Sequence, residues 1–195
     1  MKRVIIIQGP SSHVNEQKKS WIGYDVIWST WVGEESKYEI NDLTIFNSLP
    51  SEPGVQNIAL QQKTTLEGIK KAKELGYERV LKWRSDLIPN NPKKLLELFD
   101  DDSLNFLAWH DDAKYFVDYI IEGKINEVYD CWDIPTLYAH CSEKITTDNI
   151  LNRGFKNFNF ICDGLDSENE IYWSKYNVFL STYKNEKCYI KNVNL

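Results

Sequence analysis

The chain has 195 residues, 42% of them hydrophobic and 13% aromatic, a composition that supports one globular domain with a sizeable core and excludes a disordered segment. Its net charge of -6 leaves no basic face of the kind that non-specific nucleic-acid binding requires. No apolar run approaches the roughly 20 residues of a membrane span, and Val4-Ile5-Ile6-Ile7 is too short for a signal-peptide core, so a cytoplasmic location is expected.

The first element is a β-branched run, Val4-Ile5-Ile6-Ile7-Gln8, that breaks into Gly9-Pro10-Ser11-Ser12. An uninterrupted apolar strand is one buried on both faces, as at the centre of an α/β sheet. The Gly-Pro-Ser break reads either as an ordinary turn or as the start of a ligand loop; it is not a dinucleotide fingerprint. A short helix is expected over residues 15–22, then strands over 24–31 and 43–47, with loop from Pro50 to Gly54. Residues 57–75 carry an apolar stripe at the helical period through Ile58, Leu66, Ile69 and Ala72, stopped by Gly76. The amides Gln56-Asn57 and Gln61-Gln62 at its start either cap the helix or reach a ligand.

The strand that follows, Arg79-Val80-Leu81-Lys82-Trp83-Arg84-Ser85-Asp86, is charged in its second half. Side chains alternate along a strand, so Lys82, Arg84 and Asp86 share one face and Trp83 and Ser85 the other. Unpaired ions are costly in a packed sheet. Two readings account for them: an internal Arg84–Asp86 ion pair on an edge strand, or a ligand site at the carboxyl end of a parallel strand, where open α/β sheets bind. The helices expected on both sides favour the second.

Beyond Pro89, Asn91-Pro92 caps a helix running to Phe99, and Asp100-Asp101-Asp102 is an acidic turn. Residues 104–109 read as a strand entering His110-Asp111-Asp112, which suits either a turn or metal ligation. Residues 115–121 read as one further strand, with Asp118 embedded in it and Gly123 breaking it; 126–132 read as a short helix. Helix over 143–151, strand over 158–162, a capping box at Ser167 and Glu170 and a weak strand pattern over 178–189 complete the chain. Cys131, Cys141, Cys162 and Cys188 lack metal-ligand spacing and read as free, buried thiols of a reducing compartment.

Several of these motifs occur together and in one order: Ile6-Ile7-Gln8-Gly9, Ser29-Thr30-Trp31, Asn57 with Gln61, Thr64-Thr65-Leu66-Glu67-Gly68, Val80-Leu81-Lys82-Trp83-Arg84-Ser85-Asp86, Val117-Asp118-Tyr119, and Glu168 ahead of Trp173-Ser174-Lys175-Tyr176-Asn177. In this the chain resembles the WavE family, glycosyltransferases of lipopolysaccharide core synthesis with a GT-A type fold. The resemblance implies one α/β domain built on a central mixed, mostly parallel sheet flanked by helices. Residues 1–112 would form its nucleotide-sugar-binding part and 113–195 its acceptor-side part. It implies a nucleotide-sugar donor and a glycan or lipid-linked glycan acceptor, with peripheral membrane contact left open.

On this reading Gln8, Gly9, Thr30, Asn57, Gln61, Lys82 and Arg84 bind the donor, and Asp86 binds a divalent metal, Mn²⁺ or Mg²⁺. Glu168 is the first choice for the base that takes the acceptor proton, and Asp118 the second. The chain departs from the usual pair of motif aspartates: Arg84 stands at the first position, where a guanidinium can itself meet phosphate charge. A sugar nucleotidyltransferase is the alternative within the same fold class, although the loop after the first strand lacks the expected cations. A non-catalytic glycan-binding domain, suggested by seven tryptophans, is the alternative outside it.

Overall fold

A computed structural model describes residues 2–11, 13–89, 91–110, 112–134, 141–161, 178–181 and 188–192, the last two segments as backbone. Four strands, β1 (Arg3–Gln8), β2 (Val26–Trp31), β3 (Thr44–Asn47) and β4 (Arg79–Arg84), form a parallel half-sheet with β1 between β2 and β4. β9 (Ile120–Lys124) joins β4 in the opposite direction, then β6 (Leu104–Phe106) and β10 (Phe158–Phe160) complete seven strands in the order β10-β6-β9-β4-β1-β2-β3. The expected mixed, mostly parallel sheet is present.

Alternation along β1 and β4 divides the core. Ile5, Ile7, Leu81 and Trp83 face a layer that includes α1 (Val14–Ser20) and α3 (Pro92–Glu97). Val4, Ile6 and Val80 face α2 (Ile58–Glu74), α4 (Ile125–Trp132) and α5 (Ser142–Asn152). β1 is therefore buried on both sides, as its continuous apolar run requires. α2 lies so close to it that a β-carbon on Gly68 would come within 2.4 Å of Ile6 Cγ2. α2 ends as its sequence predicts: Gly76 takes φ 73°, and the amides of Gly76 and Tyr77 return to the carbonyls of Lys73 and Ala72. Asn91 caps α3 by accepting the Lys94 amide at 3.1 Å.

The strand expected over residues 115–121 is instead two short ones. β8 (Tyr115–Phe116) pairs with β7 (Trp109–His110) as a hairpin, and the chain then turns before β9 begins. Two different partners claim its two halves, which periodicity alone cannot register. Gly123 does not break the strand but lies within β9, where a β-carbon would meet Leu104 Cδ2 at 2.8 Å. His110 Nδ1 accepts the Ala113 amide at 3.2 Å, the bond of a turn. The backbone also shows β5 (Leu87–Pro89) pairing with β12 (Cys188–Asn192), which pairs in turn with β11 (Val178–Ser181), an antiparallel sheet of three strands.

At the amino-terminal edge the acidic turn holds arginines. Glu122, with no exposed surface, receives Arg79 Nε and Nη2 at 2.8 and 2.7 Å, Arg3 Nε at 2.8 Å and Asn105 Nδ2 at 2.7 Å. Asp101 pairs with Arg3, and the Asp100 and Asp101 carbonyls accept from Arg79. This network pins the one reversed strand of the sheet. Among the described residues Cys131 and Cys141 are free thiols, and no helix is long and apolar enough to cross a membrane. Replacing Glu122 by Leu removes the buried carboxylate that both guanidinium groups share, leaving Asp101 and the turn carbonyls to hold them, and is expected to cost about 3–5 kcal/mol in a urea unfolding series.

Candidate functional site

The parallel strands all end at one edge, and a cleft of about 560 Å³ opens there. β1 and its loop contribute Gln8, Gly9 and Pro10; β2 contributes Trp31. Gln56, Asn57, Leu60 and Gln61 come from the start of α2, and Arg84, Ser85 and Asp86 from the end of β4 and its turn. Ser142 and Glu143 come from the first turn of α5.

The centre of the cleft is the turn between β4 and β5, and it is clamped from three sides. The Ser85 amide donates to the Gln8 carbonyl at 2.9 Å, extending the β1–β4 ladder by one bond. Gln17 of α1, almost wholly buried, donates its amide to the carbonyls of Ser85 at 3.0 Å and Leu87 at 2.5 Å. The Trp83 indole also donates to the Leu87 carbonyl, at 2.6 Å. Gly9 makes room for the turn: it has φ 115°, and a β-carbon there would sit 2.8 Å from Ser85 Oγ.

On this turn Arg84 and Asp86 face each other. Arg84 Nε donates to Asp86 Oδ1 at 2.9 Å and Nη2 donates to Oδ2, a two-pronged fork with the guanidinium 4.3 Å from the centre of the Tyr119 ring. Burial alone would lower the Arg84 pKa, but the Asp86 carboxylate more than offsets this and holds it above the ordinary arginine value. The ion pair of the first reading is present, but on a central strand and not an edge one, and both residues also line the cleft.

Tyr119 and Asp118 reach this edge because β9 runs against β4. Pairing Trp83 with Ile120 places the residues before Ile120 beside Arg84. Asp118 itself is wholly buried and is not among the lining residues. Its carbonyl accepts from Lys82 Nζ at 2.6 Å, and that ammonium stands 4.7 Å from the Trp132 ring centre. Neither carboxylate oxygen of Asp118 has a hydrogen-bond partner of good geometry among the described residues, although the nearby Ser142 hydroxyl favours its charged form. Burial pushes the Asp118 carboxyl up and the Lys82 ammonium down, and each charge partly restrains the other's shift.

The candidate residues therefore divide. Gln8, Gly9, Asn57, Gln61, Arg84 and Asp86 come together on the cleft wall. Lys82 is wholly buried behind it, so the expected donor contact gives way to a bond with Asp118. Thr30 is also buried; its hydroxyl donates to Glu34, whose carboxylate accepts the Ser11 amide and so ties the loops after β1 and β2 together. Glu168 lies outside the described residues. Of the tryptophans, Trp21, Trp28, Trp83 and Trp132 are buried in the core, while Trp31 lines the cleft.

Two features escaped the sequence. Gln56 and Asn57 both have positive φ, 49° and 63°, so the entry to α2 is bent into the cleft with no side-chain cap. Glu143 is half-buried at the cleft, accepts the Ser142 hydroxyl at 3.1 Å, and has no ion-pair partner among the described residues. Its only sequence signal is an acidic residue in a helix's first turn, which is commonplace.

Whether these residues suit a divalent ion turns on the donor set. Among the described residues no group of three or more His, Cys, Asp or Glu side chains is placed to hold a metal. The cleft supplies the carboxylates Asp86 and Glu143. That fits an ion of the Mg²⁺ kind, which takes one or two carboxylates and completes its shell with phosphate oxygens and water, and does not fit a protein-only cage.

No protein-family model matches the sequence, and no curated protein matches it. In structure the chain is similar to a provisionally assigned nucleotide-diphospho-sugar transferase from Desulfovibrio desulfuricans G20, at TM-score 0.56 and 11% identity over 90% of this chain and 87% of that one. At that identity the likeness is one of fold.

Two stability predictions follow from the geometry. Lys82→Met and Asp118→Leu each remove a buried charge's through-space counter-charge and are expected to destabilise, whereas the double variant recovers most of the loss in a thermal double-mutant cycle. Gln56→Gly relieves a left-handed backbone and is expected to stabilise by roughly 1 kcal/mol, read as a rise in Tm.

Proposed function

We propose that the protein is a glycosyltransferase that moves a sugar from a nucleotide-sugar donor to a hydroxyl of a glycan or lipid-linked glycan. The observation that carries this reading is the cleft at the carboxyl edge of the parallel strands. It gathers amides from β1 and α2, a guanidinium from β4 and two carboxylates around a space suited to a nucleotide. The fold shared with the Desulfovibrio protein supports it, and the WavE-like motifs suggest a lipopolysaccharide-core acceptor.

In the proposed reaction the bond between the anomeric carbon and the diphosphate oxygen breaks, and the acceptor oxygen forms the new bond to that carbon. Gln8, Asn57 and Gln61 orient the nucleoside end. The Arg84 guanidinium meets the negative charge that builds on the departing diphosphate, where a placed cation lowers the barrier. A divalent ion held by Asp86 and phosphate oxygens would supply further charge neutralisation there. The acceptor proton passes to a carboxylate, and among the described residues Glu143 is the best-placed candidate. Asp118 is behind the wall, and both oxygens of Asp86 hold Arg84.

Calorimetric titration with UDP, GDP and ADP in the presence of Mn²⁺ tests the reading; binding of at least one is expected, and binding of none would overturn it. For the base, Glu143→Gln is expected to lower turnover of the donor that binds by about 10²–10⁴-fold while leaving nucleotide affinity within about twofold of wild type. An unchanged turnover number would remove Glu143 from the role.

A further inference from the structure

The Arg84–Asp86 fork bears on how a ligand enters the cleft. We infer that the cleft is a site for a diphosphate and a divalent cation bound together, in which Arg84 and Asp86 exchange partners, and that neither ion binds well alone. The inference rests on reading the cleft as a nucleotide site.

The charges around the cleft lead to this. Arg84 and Asp86 neutralise each other through two hydrogen bonds. Lys82 and Asp118, buried together in the wall, act on each other through space, with the ammonium bonded to the Asp118 backbone carbonyl. Glu143 remains, so among the described residues the cleft lining has one negative charge in excess. Among the described residues a bare diphosphate therefore meets no uncommitted cation on the lining, because the Arg84 guanidinium is held by Asp86. A bare divalent ion meets Asp86 with both oxygens occupied, and Glu143 alone is a poor site for it.

Together the two ions solve each other's difficulty. The guanidinium passes from a carboxylate to phosphate oxygens, which match its fork equally well. The carboxylate passes from the guanidinium to the cation. At the end the guanidinium faces phosphate and the Asp86 carboxylate faces the cation, and no bond within the protein backbone has to move. Two features suit Arg84 to this exchange. The Tyr119 ring 4.3 Å away supports the guanidinium through its face, leaving the edges free to change partners. Asp86 cannot follow it, since Gln17 and the Gln8 carbonyl clamp the turn on both sides. Because linkage is reciprocal, the nucleotide raises the affinity for the cation by the same factor as the cation raises that for the nucleotide.

The test reads Mn²⁺ binding by electron paramagnetic resonance and calorimetry, without turnover. Wild type is expected to bind Mn²⁺ weakly in the absence of nucleotide. Arg84→Gln, which keeps much of the shape and removes the charge, opens Asp86 and is expected to bind Mn²⁺ alone at least about tenfold more tightly. Arg84→Gln combined with Asp86→Asn loses that gain, and Arg84→Lys, which retains a charge but not the fork, falls between. Melting curves confirm that each variant is folded. In wild type, UDP or GDP with Mn²⁺ is expected to bind at least about tenfold more tightly than either component alone. Tight Mn²⁺ binding by nucleotide-free wild type, or no gain in Arg84→Gln, overturns the exchange. If the Mn²⁺ arms behave as expected while no nucleoside diphosphate binds, the nucleotide reading fails and the lock on Asp86 stands.

Discussion

β4 does not stop where its last ladder residue is; the Ser85 amide adds one more bond to the Gln8 carbonyl, and only then does the chain turn. That bond holds the ends of β1 and β4 level, and the groups that line the middle of the cleft depend on it. It presses Gly9 against Ser85, where no β-carbon fits, and it fixes the position from which Asp86 projects. Gln17 and Trp83 complete the clamp from the opposite layer, both reaching carbonyls that a tight turn would otherwise leave unpaired. A cleft wall built in this way is backbone-determined, which is how two oppositely charged side chains can be held at a definite separation without a bound ligand.

The sheet serves the site through its one reversed strand. If β9 ran parallel to β4, its loop would leave from the opposite edge, and neither Tyr119 nor Asp118 would stand near Arg84. At the amino-terminal end the β1–β4 register sets Arg3 beside Arg79, and the reversed strand brings Glu122 to meet both. The two ends of the sheet thus hold charges for different reasons. At one end the charges are knit into a single network around Glu122; at the other the Arg84–Asp86 pair stands on the cleft wall.

Much of this was legible in the sequence, and what was not has a physical cause. The β-branched run of β1, the Gly76 stop and the Asn91 cap are local signals, and each element formed where its residues favour it. The alternation of Lys82, Arg84 and Asp86 on one face was also readable, because period two is a property of the strand itself. It could not tell that Lys82 is sealed within the wall while Arg84 reaches the cleft, since that depends on where α4 places Trp132. The break between Phe116 and Ile120 comes from competing strand partners far apart in sequence. Glu143 is unremarkable until tertiary packing sets the first turn of α5 opposite the β4 turn. The left-handed pair at Gln56 and Asn57 has no glycine to announce it.

The central claim is that a nucleotide is held at the junction of the β1 loop, the start of α2 and the β4 turn. Hydrogen–deuterium exchange with and without UDP or GDP plus Mn²⁺ tests it most directly, because it locates the ligand on the backbone. The account predicts added protection at residues 8–11, 56–61 and 84–87, and none in the groove at the opposite edge near residues 21–26 and 41–43. Protection confined to that second groove, with the β1 loop and the β4 turn exchanging as in the free protein, would contradict it.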